Sequence, residues 1–332
     1  MEITFIDDTY VKKEGTGVIY LAGGCFWGME KLMKSIPGVM ETTCGYANGI
    51  SEEAPTYDMV CTGLTGFRET VRTEYLKDKI SLEAILFAYF SVIDPTVKNR
   101  QGYDEGTQYQ TGIYYIDKES EIIVKEIANI EQDRHCPLAV EIEPLVSFYE
   151  AEGYHQDYLD KINGGYCHIT PDEINRVSKM IVDPAKYKRP TNAQIAYELT
   201  EHQCYVTQKG GTEPPFENKF WDYKANGIYA DIVTGEPLFF SKDKFSSPCG
   251  WPSFSREIDP NSLVLLDDLS HGMVRKEVRS RTGNTHLGHV FYNDSESPTG
   301  VYFCINSAAL RFIPYDKMKE RGYGFLMGYM KP

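Results

Sequence analysis

A strand, a glycine turn and a helix start, all within one short segment, constrain the fold most. Gly17 to Ala22 is an apolar run rich in strand formers, and Gly23-Gly24 follows it. Apolar residues then recur at helical spacing from Phe26 to Ile36 until Pro37-Gly38 ends the pattern. Cys25 therefore stands in the first turn of the predicted helix, where unpaired backbone N–H groups and the helix dipole favour a thiolate. The structural alternative is a glycine turn with a buried cysteine and two core aromatic residues.

Length and charge limit the classes of partner. A chain of 332 residues is long enough for about two domains, each with its own core. The net charge of −14 argues against a nucleic-acid partner, and no apolar run approaches the ~20 residues that span a membrane. The N-terminus has neither a basic start nor a long apolar segment, so we expect a cytoplasmic protein. A signal peptide that had been removed would leave no trace here.

Cysteine usage points to redox chemistry or to buried thiols. The eight cysteines are too sparse for a disulfide scaffold, and none form a CxxC pair. The absence of such pairs weakens a structural zinc site, so the metal prediction is none.

The chain changes texture near residue 193. Residues 1–181 mix helix and strand patterns, residues 182–192 read as a linker, and residues 193–332 are short strand-like runs broken by turn residues. The second part therefore predicts a mainly antiparallel β domain. Strands or extended segments are predicted at Thr70–Tyr75, Thr111–Ile116 and Leu138–Tyr149, and helices at Ser81–Phe90, Lys118–Gln132 and Ile195–Gln203. The run Asn163–Cys167 is rich in turn residues, and we expect it to be mobile.

Three polar residues in loop-like contexts are candidate partners for Cys25. Glu69 could protonate a leaving oxygen, while Tyr57 and Tyr109 could hold that oxygen by hydrogen bonds. Their spacing alone does not distinguish this site from a solvated glutamate and two packing tyrosines.

The second part carries its own candidate site. Cys304 lies in an apolar strand-like run, Cys249 and Trp251 lie upstream, and His286 and His289 are three residues apart. A Cys/His zinc set is one interpretation. A redox site is the other, with a thiolate, imidazoles that donate a proton and a tryptophan wall.

Four motifs, which follow one another along the first part of the chain, relate it to a known family. They are Gly-Cys-Phe-Trp-Gly at 24–28, Pro-Thr-Tyr-Asp-Met-Val-Cys-Thr-Gly at 55–63, Gly-Tyr-Asp-Glu-Gly-Thr-Gln-Tyr at 102–109 and Gly-Tyr-Cys-His-Ile at 165–169. Residues 17–170 thereby resemble peptide methionine sulfoxide reductase A. The resemblance implies an α/β sandwich around a mixed sheet and selectivity for the S epimer.

The resemblance also implies roles in the first site. Cys25 would attack the sulfoxide sulfur and become a sulfenic acid, which Cys167 would resolve to a disulfide. Glu69 would be the acid for the oxygen. The remaining implied roles concern substrate binding: Phe26 and Trp27 pack the methyl group, Tyr57 and Tyr109 hold the oxygen, and Asp104 supports the site.

Residues 193–315 closely resemble methionine sulfoxide reductase B. The matching runs are Cys-Gly-Trp-Pro-Ser-Phe at 249–254, His-Leu-Gly-His-Val-Phe at 286–291 and Phe-Cys-Ile-Asn at 303–306. The resemblance implies two antiparallel sheets and selectivity for the R epimer. It makes Cys304 catalytic, Cys249 resolving and Trp251 the methyl wall. It also implies that three residues hold and protonate the oxygen: His286, His289 and Asn306.

This chain departs from the family patterns at several positions. Phe67-Arg68 replaces the usual His-Ala before Glu69, and strand alternation should turn Arg68 away from it. Tyr302 and Asn293 stand where the second family often has an arginine and an aspartate, so we expect Cys304 to depend mainly on its histidines. Where many members carry zinc-binding CxxC pairs, residues 231–234 and 280–283 hold no cysteine, which predicts a zinc-free form.

Together these resemblances imply a bifunctional methionine sulfoxide reductase with an α+β two-domain architecture and no cofactor. Its substrates would be free and protein-bound methionine sulfoxide, and thioredoxin or a similar dithiol would reduce its disulfides. The rival interpretations are a general thiol peroxidase or disulfide exchanger, and a non-enzymatic module that binds metal or oxidised protein.

Overall fold

The computed structural model describes residues 4–51, 53–162, 165 and 167–330. These residues divide into two compact units, with the boundary between Met180 and Ile181. The predicted mobile run lies partly outside the described residues, because it includes Asn163, Gly164 and Tyr166. None of the described helices is long and apolar enough to cross a membrane.

The first unit is an α/β sandwich. Its strands are β1 Thr16–Ala22, β2 Val39–Ala47, β3 Arg68–Leu76, β4 Arg100–Gln101, β5 Asp104–Glu105, β6 Gly112–Tyr115, β7 Glu141–Pro144 and β8 Phe148–Glu150. Its helices are α1 Phe26–Ser35, α2 Tyr57–Cys61, α3 Leu82–Phe90, α4 Lys118–Arg134, α5 Tyr158–Lys161 and α6 Pro171–Val177. Six strands form one sheet in the order β7-β6-β1-β3-β2-β8. Only the β6–β7 pair in this sheet is parallel, so the predicted mixed sheet is confirmed.

Both faces of this sheet are buried, which explains why β1 reads as a continuous apolar run. Ile19 and Leu21 point into the core that also contains residues of α1, α3 and α4. Tyr20 and Ala22 point into a smaller cluster, against which Phe5 packs on the other face. Because β1 is fixed on both faces, the position where the chain leaves it for α1 is also fixed.

The second unit is mainly antiparallel β structure. Its helices are α7 Asn192–Glu198 and α8 Glu201–Lys209. Its strands are β9 Gly227–Asp231, β10 Pro237–Phe240, β11 Lys244–Phe245, β12 Ser253–Phe254, β13 Leu263–Asp268, β14 Arg275–Ser280, β15 His286–Tyr292, β16 Val301–Ile305 and β17 Leu310–Pro314. They form two sheets, β10-β9-β17 and β11-β12-β16-β15-β14-β13, as the predicted fold class requires. Phe239 and Phe254 stack between the sheets with ring centroids 4.3 Å apart.

Two local details differ from the sequence patterns. The single helix predicted over Ile195–Gln203 is wrong, because the chain forms α7 and α8 with a break at Leu199-Thr200. Thr200 starts a new helix through a reciprocal capping box with Gln203. In the segment predicted as a linker, Val182 and Tyr187 are buried in an apolar cluster of the second unit. The first residues of this segment are therefore part of the packed core of the second unit.

Two candidate active sites

Cys25 occupies the N-cap of α1, directly after a glycine turn in which Gly24 adopts a φ of +84°. The backbone N–H groups of Trp27 and Gly28 face its sulfur and lower the pKa of the thiol, as the helix position predicts. Burial raises that pKa more strongly, and the charge of Glu69 raises it further, so the net pKa lies above the ordinary value. The net direction is therefore opposite to the one that the helix position alone predicts, and it favours the neutral thiol.

Glu69 on β3 is a buried acid beside the same turn. Its side chain is 1% exposed, and Oε2 accepts a hydrogen bond of 3.1 Å from the backbone N–H of Phe26. Oε1 has no hydrogen-bond partner among the described residues. Burial raises the pKa of Glu69 to about 8, so the carboxyl group carries a proton at neutral pH. Glu69 can thus donate a hydrogen bond or a proton to a ligand.

Tyr57 and Tyr109 complete the polar side of this site. Tyr57 begins α2, and Tyr109 ends the 3₁₀ turn Thr107–Tyr109. Burial raises the pKa of both phenols, and the charge of Glu69 is the next cause for each. Asp104 on β5 adds a negative field at Glu69, and its Oδ2 lies 4.0 Å from Nδ1 of His168. Both phenols remain donors at neutral pH.

Two residues that the sequence patterns did not identify, His155 and Glu152, support the aromatic wall and the start of α2. Trp27 stacks on Tyr158 with ring centroids 3.7 Å apart, and its Nε1 donates to Nδ1 of His155 over 3.2 Å. Glu152 accepts the backbone N–H of Tyr57 over 3.0 Å. His155 and Glu152 therefore fix the indole and the start of α2. The polar and aromatic density of residues 152–158 was the available signal.

Phe26 and Cys167 lie on opposite sides of the start of α1. Phe26 is buried against Tyr46 and His155. The sulfur of Cys167 lies 2.7 Å from the place where a Cβ on Gly28 would be, so it packs on the first turn of the helix. All predicted members of the first site are thus gathered around one helix turn, although their roles stay predictions.

The second candidate site lies on one face of the larger sheet in the second unit. Strand register places His289 opposite both Cys304 and Glu277. A cavity of about 150 Å³ opens beside this row. Its lining residues are Thr212, Trp251, Arg275, Gly288, His289, Phe291, Cys304 and Asn306.

Cys304 and Cys249 form a close pair, with their sulfur atoms 3.7 Å apart. The sulfur of Cys249 also accepts the backbone N–H of Trp251 over 3.3 Å and lies 3.5 Å from Oγ of Ser253. The hydrogen bond from Cys304 is the largest cause that lowers the pKa of Cys249, to about 4. The same bond is the largest cause that raises the pKa of Cys304. The expectation that histidines dominate Cys304 is wrong for this reduced pair, because Cys249 has the stronger influence.

Each histidine of the second site is held by a carboxylate. Nδ1 of His286 lies 2.6 Å from Oε1 of Glu277, and Nε2 of His289 lies 2.8 Å from Oδ2 of Asp268. Nε2 of His286 is buried and has no partner within the described part of the chain. The sequence patterns missed Glu277 and Asp268, although four of the five residues over 275–279 are charged. Of the two imidazoles, that of His289 lines the cavity.

Backbone atoms of Glu213 arrange Trp251 and Asn306. The carbonyl oxygen of Glu213 accepts Nε1–H of Trp251 over 3.0 Å, and its N–H donates to Oδ1 of Asn306 over 3.2 Å. Nδ2 of Asn306 donates to the carbonyl oxygen of Leu287 over 3.1 Å. The fold thus engages the acceptor oxygen of Asn306 and one of its two amide hydrogens. The other amide hydrogen remains for a ligand.

The departures from the family patterns have structural explanations. Arg68 turns away from Glu69, as expected, and Nη2 pairs with Glu141 over 2.9 Å. Tyr302 lies beside Cys249, with its hydroxyl 2.9 Å from Oγ of Ser247. A cation does line the second cavity, but it is Arg275 on β14.

The two segments that replace the CxxC pairs meet in the fold. Oδ2 of Asp231 accepts Oγ–H of Ser280 over 2.7 Å, and Oγ1 of Thr285 lies 3.0 Å from both carboxylate oxygens. Glu236 pairs with Arg281 over 2.6 Å, and both are buried. These buried carboxylates link the segments directly. Among the residues that the structure describes, no group of three His, Cys, Asp or Glu side chains could hold a metal ion.

Comparisons with known proteins agree with the two-part organisation. Residues 17–185 match the family model described as Peptide methionine sulfoxide reductase, and residues 199–314 match the SelR domain. Reduced Mxr1 from Saccharomyces cerevisiae is similar at 33% identity, covering 50% of this chain and 98% of that one, with a TM-score of 0.47. Methionine sulfoxide reductase A of Corynebacterium diphtheriae is similar at 35% identity, covering 47% and 79%, with a TM-score of 0.42. Mxr1 in complex with Trx2 matches at 23% identity over 47% of this chain and 94% of that one, with a TM-score of 0.34.

Proposed function

Because the chain belongs to the peptide methionine sulfoxide reductase family and continues into a SelR domain, we propose that its two units reduce opposite epimers of methionine sulfoxide. The first unit would take the S epimer and the second the R epimer. Reduction of methionine sulfoxide is the activity that both matches support. The observation that carries the proposal is that each unit gathers a cysteine, a proton donor, an aromatic wall and a second cysteine.

In the first site, Cys25 attacks the sulfoxide sulfur while Glu69 donates its proton to the oxygen. The oxygen passes as a hydroxyl group from the substrate sulfur to the sulfur of Cys25, while the sulfur–sulfur bond formed in the attack breaks, so methionine leaves and Cys25 becomes a sulfenic acid. The proton that the thiol gives up restores Glu69, so the step needs no external acid. The buried Oε1 of Glu69 and the two phenols supply the contacts that an oxygen with growing negative charge needs.

Cys167 then attacks the sulfenic sulfur, which releases water and leaves a Cys25–Cys167 disulfide. Its sulfur already packs on the first turn of α1. Disulfide formation would require the sulfur atoms of Cys25 and Cys167 to come within about 2 Å.

In the second site, Cys304 attacks and Cys249 resolves. As Cys304 attacks, it passes its proton along the hydrogen bond to Cys249, and an imidazole of His286 or His289 donates to the oxygen. Trp251 packs the methyl group, and the free amide hydrogen of Asn306 contacts the oxygen. The sulfur separation of 3.7 Å must shorten to about 2 Å for a disulfide, which side-chain motion can achieve.

Each cycle ends with a disulfide, so a dithiol must return two electrons by thiol exchange. Thioredoxin or a similar dithiol would serve both units. Free and protein-bound methionine sulfoxide are the proposed substrates, which makes the biological role repair of oxidised proteins. The cytoplasmic location expected from the sequence stays a prediction.

The test uses the full chain and separately prepared S and R epimers. Cys25→Ser should abolish reduction of the S epimer only, and Cys304→Ser reduction of the R epimer only. Cys136→Ser, at an exposed thiol, is the matched control and should change neither. Loss of both activities from either active-site variant would reject independent sites, and peroxide turnover that survives without sulfoxide reduction would favour a thiol peroxidase.

A further inference from the structure

Arg275 is a charged residue in the second cavity to which no role has been assigned. It begins β14, opposite Asp268 in the register of β13 and β14. Nη2 donates to Oδ2 of Asp268 over 2.6 Å and to Oγ of Ser270 over 3.3 Å. The side chain lines the same cavity as Cys304 and His289. Its position is therefore fixed before any substrate arrives.

One donor of this guanidinium, Nε, is left without an acceptor among the residues that the structure describes. Nε of Arg275 is buried and has no hydrogen-bond partner in the described part of the chain. A buried donor on a charged group is costly to leave unpaired, and an oxygen acceptor that enters the cavity would relieve that cost. Arginine prefers carboxylates and other strong oxygen acceptors. The cavity thus holds a place for an acceptor oxygen that the chain itself does not provide.

The sheet register gives the distance between Arg275 and the attacking sulfur, and that distance indicates which substrate oxygen Arg275 can reach. Cys304, His289 and Glu277 form one row across three strands, and Arg275 lies two residues from Glu277 on the same face. Arg275 is therefore roughly 7 Å along the strands from the row of the attacking sulfur, and two strands, roughly 10 Å, across the sheet. The four bonds from a methionine sulfur to its carboxyl carbon extend about 5 Å, and the arginine side chain covers the remaining distance. The sulfoxide oxygen, by contrast, belongs beside the histidines.

We propose that Arg275 binds the oxygen on the carboxyl carbon of methionine sulfoxide at the second site and thereby determines substrate affinity there. In a peptide this oxygen is the main-chain carbonyl, and in the free amino acid it is the α-carboxylate. The inference deepens the proposed R-epimer reductase and rests on it. The first site is instead surrounded by Glu69, Asp104 and Glu152, so a carboxylate-bearing substrate should distinguish the two sites.

A purely structural role for Arg275 would operate through Asp268 and His289. Arg275 holds Asp268, and Asp268 holds His289, so this route would change the maximum rate and its pH dependence. Direct binding would instead change the substrate concentration needed for half-maximal rate. The two routes therefore separate in one experiment.

The experiment follows a single turnover of the full chain without reductant, with the R epimers of N-acetylmethionine sulfoxide and of its N-methylamide. Arg275→Lys keeps the charge beside Asp268 but removes the Nε donor. We expect the half-saturating concentration to rise about tenfold for the carboxylate and less for the amide, with the maximum rate within about twofold. Arg275→Met should raise the half-saturating concentrations of both substrates further.

Lys276→Met is the matched control, because the next residue on β14 faces the other way, pairs with Asp267 and is exposed. It should leave both substrates unchanged. Unchanged half-saturation in Arg275→Lys would overturn the inference, and so would a lower maximum rate with a displaced pH profile and unchanged half-saturation. Failure of the wild-type chain to reduce either R epimer would reject the proposed function itself.

Discussion

The two candidate sites differ in the group beside the cysteine that can carry a proton. The first stores it on a carboxylic acid that burial keeps protonated, with the pKa of Glu69 at about 8. The second uses imidazoles, each bound through one nitrogen to a carboxylate. Burial raises the pKa of Glu69, whereas burial lowers the pKa of His289 even though its bond with Asp268 opposes that shift.

The thiols differ in a similar way. Cys25 sits at a helix start, and its main neighbours are backbone N–H groups and an acid. Cys304 sits in a sheet, and its main neighbour is the other cysteine of the pair. The sulfur of Cys167 packs beside Gly28 in the first unit, whereas the sulfur atoms of Cys249 and Cys304 lie 3.7 Å apart in the second.

The strongest test of this contrast removes the buried acid. Glu69→Gln should lower S-epimer reduction by about 10²–10⁴-fold, because the amide cannot protonate the oxygen. R-epimer reduction by the same molecules is the internal control and should not change. A loss below tenfold at the first site would mean that the phenols or water supply the proton.

Removal of each resolving cysteine sharpens the second contrast. Cys167→Ser should still yield one equivalent of methionine from the S epimer, but steady turnover with thioredoxin should fall about a hundredfold, because no disulfide forms. Cys249→Ser should do the same for the R epimer. It should also slow the first turnover there, since Cys304 loses the partner that accepts its proton. Equal first-turnover rates before and after Cys249→Ser would contradict that proton transfer.

A third test concerns stability within the second unit. Asp231→Ala should lower the free energy of unfolding by about 3 kcal/mol, because buried donors on Ser280, Thr285 and Val233 lose their acceptor. Asp231→Asn should cost less, since one acceptor oxygen remains. Urea titration of R-epimer activity, compared with S-epimer activity, measures the effect. A stable alanine variant would show that the network is dispensable.

The smallest expected effect is in the pH dependence. S-epimer reduction should fall about tenfold per pH unit above pH about 8, because the site needs both its protons and Glu69 loses its own there. R-epimer reduction should not share this limb, and Glu69→Gln should remove it. An S-epimer rate that rises through pH 8 would show that the reactive form has already lost one proton.

Local patterns predicted the elements that carry the chemistry. The apolar run and glycine turn before Cys25 predicted its place at the start of a helix, and the apolar run around Cys304 predicted a strand. The same patterns failed at Ile195–Gln203, because Thr200 offers a capping box that outweighs helical continuity. Local sequence therefore predicts element type better than element ends.

Residues that support the sites were harder to predict because their partners are distant in sequence. His155 reaches Trp27 across 128 residues, and Glu213 reaches Asn306 across 93. The pKa of Cys25 could not be predicted either, because its main cause is burial by residues from the whole unit.

The missing side chain at Gly28 makes room for Cys167 in the first site. The sulfur of Cys167 occupies the volume that a side chain at Gly28 would need. A methyl group there would leave Cys25, Glu69 and the aromatic wall in place but would collide with the sulfur of Cys167. If Cys167 resolves Cys25 as proposed, Gly28→Ala should slow steady turnover of the S epimer more than its first turnover, so a single carbon atom would separate the two steps.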